Sequence, residues 1–121
     1  MKIQSIKQGG VCIALVESAE VLITDVQSAL DLMATVRYET GAERMVLPKA
    51  ALDERFFSLG SGLAGEVLQK FVNYQLKVAI IGDFSGYTSK ALRDFIYESN
   101  NGSHVFFVPT MEAAAQKLAR A

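Results

Sequence analysis

The sequence predicts an α/β fold: a mostly parallel mixed sheet of about five strands with an N-terminal β-hairpin and four helices, in the order β-β-α-β-α-β-α-β-α. Three observations carry it. Gly9-Gly10 splits two strand-like runs near the start; helix-periodic segments then alternate with short apolar runs; and one of those runs, Lys77 to Gly82, is apolar at consecutive positions, as strands covered on both faces are.

In the hairpin, Lys2 to Gln8 alternates polar and apolar through Ile3 and Ile6 and reads as an edge strand. Val11 to Val16 is apolar on both faces and reads as an inner one. Thr24 with Gln27 has the form of a capping box, and Asp25 puts a carboxylate in the first helical turn. Val26, Ala29, Leu30, Met33 and Val36 form the apolar stripe of that helix, and Gly41 ends it.

Arg44 to Leu47 is a short strand closed by Pro48, and Lys49 to Leu59 is an irregular or single-turn connector. The second helix shows Ala64, Val67, Leu68, Phe71 and Val72 to the core. Lys77 to Gly82 is read as the centre of the sheet. The third helix runs from a Thr88 or Ser89 cap to Asn100, buries Ala91, Leu92, Phe95 and Ile96, and ends at Asn101-Gly102. Val105 to Val108 is the last strand. Thr110 caps a final helix whose buried stripe is Met111, Ala114, Ala115 and Leu118.

At 121 residues, half of them hydrophobic and 21% charged, one globular domain spanning 1–121 is expected. Twelve Lys and Arg nearly cancel thirteen Asp and Glu, so net charge gives no broad reason to bind nucleic acid or anionic lipid. Cys12 is the only cysteine, which excludes a disulfide within the chain. No run approaches the ~18 to 20 apolar residues of a membrane span. A soluble cytoplasmic protein is the expectation, with no metal and no cofactor.

The element order, together with Gly60-Ser61-Gly62-Leu63 and Val78-Ala79-Ile80-Ile81, resembles the STAS-like (SpoIIAA-like) fold of bacterial anti-anti-sigma factors. Those domains carry an Asp-Ser-Ser-Gly-Leu turn before their second helix. The Ser-Gly-Leu core matches, with Ser61 at the position of the family's phosphorylated serine, while Leu59 and Gly60 replace the aspartate and first serine. Ala79 to Asp83 is similar to the strand end of a second, Sec14-related branch. Over nearly its full length the chain also looks like a bacterial family described as a domain of unknown function, through Leu63 to Phe71, Asp83 to Lys90 and Glu98 to Gly102. That last resemblance implies a fold and no activity.

Ser61 stands before a helix, where unpartnered backbone N–H groups favour a phosphate and also favour a plain capping serine. Asp83 follows a strand at the sheet edge where open α/β folds bind ligands, and Ser85, Tyr87, Thr88 and Ser89 add donors and acceptors beside it. Asp83 can equally bond its own loop. Phe56, Phe57, Phe84 and Tyr87 fall in connectors, where aromatics plug the sheet ends or form a patch for a partner.

Asn100-Asn101-Gly102 is accounted for by a helix end with a left-handed residue, and Cys12 by a buried strand. His104, the only histidine, has no patterned catalytic partner, so no catalytic residue is assigned. Three functions remain: a non-enzymatic regulatory or protein-interaction module switched at Ser61; a small-molecule or amphipathic-ligand domain with its site near Asp83; and, last, an enzyme using Asp83 with Ser85 or Tyr87. Partner and ligand stay unidentified, and a homodimer is one option.

Overall fold

The computed structural model describes residues 1–121. Strands β1 (Lys2–Gln8), β2 (Val11–Glu17), β3 (Arg44–Pro48), β4 (Lys77–Ile81) and β5 (Val105–Val108) form one five-stranded sheet in the spatial order β1-β2-β3-β4-β5. The β1–β2 hairpin is antiparallel, with Lys2 opposite Glu17 and Gln8 opposite Val11, and every later pairing is parallel. Gly9 and Gly10 both take positive φ, as a two-residue hairpin turn requires.

Helices α1 (Val26–Thr40), α2 (Leu63–Asn73) and α3 (Lys90–Asn100) are the crossovers, and α4 (Met111–Arg120) follows β5. Each crossover steps one strand further the same way, so right-handed connections put all three helices on one face. That face holds the larger core, with Met45, Leu47, Val78, Ile80 and Phe107 from the strands against Val36, Val67, Phe71 and Leu92. The period-two alternation sends Ile13, Val46, Ala79 and Phe106 to the other face, where α4 alone covers them with Ala114, Ala115 and Leu118.

Several expectations need correction. The sheet is centred on β3, and β4 is second from an edge; its apolar run reflects cover on both faces, not central position. The α1 cap lies one residue later than read: Asp25 accepts from the Ser28 backbone N–H at 2.8 Å, and the Ser28 hydroxyl returns to the Asp25 N–H. A carboxylate reaches that N–H better than the Thr24 hydroxyl one residue back. Leu32 joins the buried stripe of α1, whereas Val72, Ala91 and Met111 are exposed, each at the margin of its helix's apolar arc. Gly41 ends α1 at φ 70°, donating to the Arg37 carbonyl.

The end of α3 also departs from expectation. Asn101 is right-handed at φ −88°, and Asn100 turns its side chain onto β5, accepting from the Phe107 N–H at 2.7 Å and donating to its C=O at 3.1 Å. Left-handed exits follow the two preceding helices instead, at Gly41 after α1 and at Gln75 after α2, where φ is 58°.

Candidate functional site

Between β3 and α2 the chain makes three short 3-10 turns, Lys49–Ala51, Glu54–Phe57 and Leu59–Ser61. Backbone bonds between Ile23 and both Ala51 and Asp53 tie this connector to the segment before α1. The middle turn is started by Asp53, whose carboxylate accepts from the Arg55 N–H at 2.9 Å. Two side-chain clusters grow from that turn.

The first cluster joins the amino ends of α1 and α2. Arg55 donates from Nε to Asp53 at 3.0 Å and from Nη2 to the Thr24 carbonyl at 2.8 Å. Its own carbonyl accepts the Ser61 hydroxyl at 2.7 Å. Ser61 is exposed and closes the third turn, and Gly62 at φ 80° is the cap position of α2. The Ser61 oxygen also receives the Leu63 N–H at 3.3 Å. Ser61 therefore donates and accepts in one step, linking connector to helix. Hydrogen bonds from Arg55 lower the Asp53 pKa, and those from Ser28 lower that of Asp25, with the Arg55 charge adding to both.

The second cluster is aromatic and cationic. Phe57 stacks on Tyr87 with centroids 5.2 Å apart, lies 5.9 Å from Phe84 and meets Phe56 edge-on at 5.1 Å. The Lys49 ammonium sits over the Tyr87 ring at 4.9 Å and the Phe57 ring at 5.4 Å. The Tyr87 hydroxyl donates to Glu54 at 2.7 Å. The Tyr87 hydroxyl chiefly, and the Glu54 and Asp83 charges after it, raise the Lys49 pKa. Burial raises that of Tyr87. The neutral phenol and charged ammonium are thus the stable pair.

Asp83 uses Oδ1 within its own loop, accepting the Ser85 hydroxyl at 2.6 Å and the Ser85 N–H at 2.9 Å. These bonds, then the Lys49 charge, lower its pKa. A carboxylate so stabilised is a poor base, and it is ill suited to take the Ser85 proton. Ser89 caps α3 by accepting from the Leu92 N–H at 3.2 Å, and Thr88 is exposed.

The structure therefore brings Asp83 to Ser85 and Tyr87 to Phe57, and does not join the two pairs around one cavity. A hollow of about 280 Å³ beside Asp83 is lined by Gly82, Phe84, Phe107, Val108 and Pro109, with Tyr87 outside it. Phe56 and Phe57 are buried at 1% and 4% exposure, so they plug the sheet end and are not surface contacts. Phe84 and Tyr87 are half-buried, as is Cys12. His104 is exposed, and the hydrogen bond of its ring is to the Ser103 hydroxyl, at 3.3 Å. No group of three or more His, Cys, Asp or Glu is placed to hold a metal, and no helix is long and apolar enough to cross a membrane.

Sequence reasoning missed Lys49, Glu54 and Arg55. The rule that singled out Asp83 at the end of β4 also applies to Lys49 at the end of β3, so one of the three carried a usable signal. Arg55 carried none, because its side-chain partners are one backbone carbonyl and a neighbouring aspartate.

The family model described as "Domain of unknown function (DUF4180)" matches residues 8–118. Neither a curated protein nor a solved structure matches the chain.

Proposed function

The chain belongs to the DUF4180 family, and within it we propose that this protein is a non-enzymatic regulatory, protein-interaction module of STAS-like type, occupying 1–121 as one domain and switched at Ser61. The observation that carries the reading is the exposed Ser61 hydroxyl donating to the Arg55 carbonyl at 2.7 Å. Phosphoryl transfer from a nucleoside triphosphate forms the Ser61 Oγ–P bond as the terminal phosphoanhydride breaks; the nucleoside diphosphate leaves, the hydroxyl proton passes to the base of the transferring kinase, and the donor of this bond is lost. The esterified oxygen then faces the carbonyl as a second acceptor, and the contact opens.

The new dianion lies at the amino end of α2, where the helix dipole favours it, and competes with Asp53 for the Arg55 guanidinium. Arg55 also holds the Thr24 carbonyl, so the exchange alters the surface between the starts of α1 and α2 together. A partner reading that surface distinguishes the two states.

The test is intact-mass analysis of the protein from its host, followed by partner capture with the wild type, Ser61→Ala and Ser61→Asp. An added phosphate mapped to Ser61, and a partner set that changes in Ser61→Asp, are expected. If Ser61 is unmodified and all three proteins capture the same partners, the reading fails. A second reading, a small ligand at the strand ends, is favoured by the hollow beside Asp83 and requires Asp83→Asn to abolish binding.

A further inference from the structure

A different surface lies between the body of α1 and the segment that follows α2. Leu30, Met33, Ala34 and Arg37 of α1 face Tyr74 and Leu76, after α2, across a hollow of about 300 Å³. That volume is at the lower end of small-molecule sites, ~300 to 1,000 Å³. Residues 30, 33, 34 and 37 recur at helical spacing, so one face of α1 supplies an apolar wall and the cation beside it.

Arg37 is the only charged group of the lining. It donates one Nη2 hydrogen to the Tyr74 carbonyl at 3.0 Å, which fixes the guanidinium at the rim, and no carboxylate lies within 4.0 Å of it. About four of its five N–H donors are left for another acceptor. Exposed Ala34 and half-buried Leu30, set over the nearly covered Met33 and Leu76 and beside an unpaired, positioned guanidinium, match a molecule with an apolar body and a single anionic head. The guanidinium's full charge outweighs the roughly half-unit negative end of α1, so an anion is attracted overall.

We propose that this hollow binds a small amphipathic carboxylate, an alkyl or aryl acid whose body lies on Leu30, Met33, Ala34 and Leu76 and whose carboxylate pairs with Arg37. A carboxylate fits better than a phosphate, because one planar guanidinium forms the two parallel bonds that a carboxylate accepts and supplies no second cation for a dianion. The site is independent of Ser61 and of the hollow beside Asp83.

Octanoate, octanol and octylamine, each titrated into isotope-labelled full-length protein and followed by amide NMR shifts, test it. Octanoate is expected to give saturable shifts centred on residues 30–37 and 74–76, with octanol and octylamine about tenfold weaker or more. Arg37→Gln should weaken octanoate by a similar factor, and Ala34→Phe, which fills the hollow from an exposed helical position, should abolish binding. Equal affinity for octanol and octanoate in the wild type overturns the proposal, and needs no variant to fold. So do shifts that fail to saturate or centre elsewhere, and an Ala34→Phe protein that binds as the wild type does.

Discussion

Lys49 and Gly82 meet so closely that a Cβ at Gly82 would fall 2.7 Å from the Cβ of Lys49 and 3.0 Å from its Cδ. The contact joins the residue after β3 to the residue after β4, and it sets the stem of Lys49 so that its ammonium reaches the rings of Tyr87 and Phe57. Gly82→Ala is therefore expected to destabilise the protein by about 1 to 3 kcal/mol through overpacking. Lys49→Ala keeps the offending Cβ and should not relieve that cost, whereas Lys49→Gly should recover part of it. Urea midpoints of the singles and doubles check this, and additive effects in both doubles contradict it.

Stability should fall at both ends of the pH range, for different groups. Asp25, Asp53 and Asp83 have folded pKa values below the ordinary 3.8, so the unfolded chain binds more protons as acid is added. Their contribution is complete above about pH 4 to 5 and is lost as the pH falls through the lowered folded values. Lys49 is raised above 10.5 by the Tyr87 hydroxyl first, and Tyr87 is raised above 10.0 by burial. Their contribution is complete below the unfolded values and disappears as the pH rises through the folded ones. Denaturant midpoints in Lys49→Met and Tyr87→Phe should lose the alkaline slope, and Asp25→Asn should flatten the acid one.

Phe71 and Val72 are neighbours in sequence and opposites in burial, at 1% and 42% exposure. Phe71→Ala should cost about 3 to 5 kcal/mol, a large part of a domain's stability, and Val72→Ala less than about 0.5. Thermal unfolding of the two variants separates them, and a cost for Val72→Ala near that of Phe71→Ala would show that Val72 is buried against something.

The contrast shows what the residues themselves make legible. The order of elements along the chain, the hairpin, the connector and the helix spans follow from Gly9-Gly10, the apolar runs and the 3.6 period, because each is a local property of the chain, whereas the place of β4 beside the sheet edge is not. Val72, Ala91 and Met111 were misplaced because period alone does not say how wide the buried arc is. That width depends on the neighbouring helix or sheet. The cap of α1 was off by one because Thr24 and Asp25 both have capping chemistry, and only the Ser28 reciprocal bond decides between them. At the candidate site the sequence marked the polar loop after β4 but not its partners. Lys49, Glu54 and Tyr87 are brought together by the return of the chain across the strand ends, and nothing within any one segment encodes that meeting.

Gln75, at φ 58°, is the one non-glycine residue with positive φ. The Leu76 N–H reaches back to the Phe71 carbonyl at 2.8 Å and the Gln75 N–H to Val72 at 3.1 Å, the paired bonds of a helix end that favours glycine. Gln75→Gly is expected to stabilise the protein by about 0.5 to 1 kcal/mol, the left-handed penalty relieved less the added chain entropy. An unchanged or lowered urea midpoint would show that the Gln75 side chain compensates the strain.

Asn100 closes an edge that would otherwise be open. β5 is the last strand of the sheet, and the His104 and Val108 carbonyls accept from Val78 and Gly82 of the β4 side, so the alternate residue Phe107 turns its N–H and C=O outward. The Asn100 amide supplies one acceptor and one donor to that pair, as a neighbouring strand would. Asn100→Ala should cost about 1 to 3 kcal/mol, since two backbone groups of the buried Phe107 lose their partners. Asn100→Asp keeps the acceptor for the N–H but sets a charged oxygen near the Phe107 carbonyl, so its cost should ease as the carboxyl becomes protonated and regains a donor. Native-state hydrogen exchange gives the site-specific reading. The Phe107 amide should exchange faster in Asn100→Ala while the Ile80 amide, on the neighbouring strand, keeps its protection. Equal acceleration at both positions would mean that the variant loosens the whole sheet and that Asn100 has no special hold on the edge.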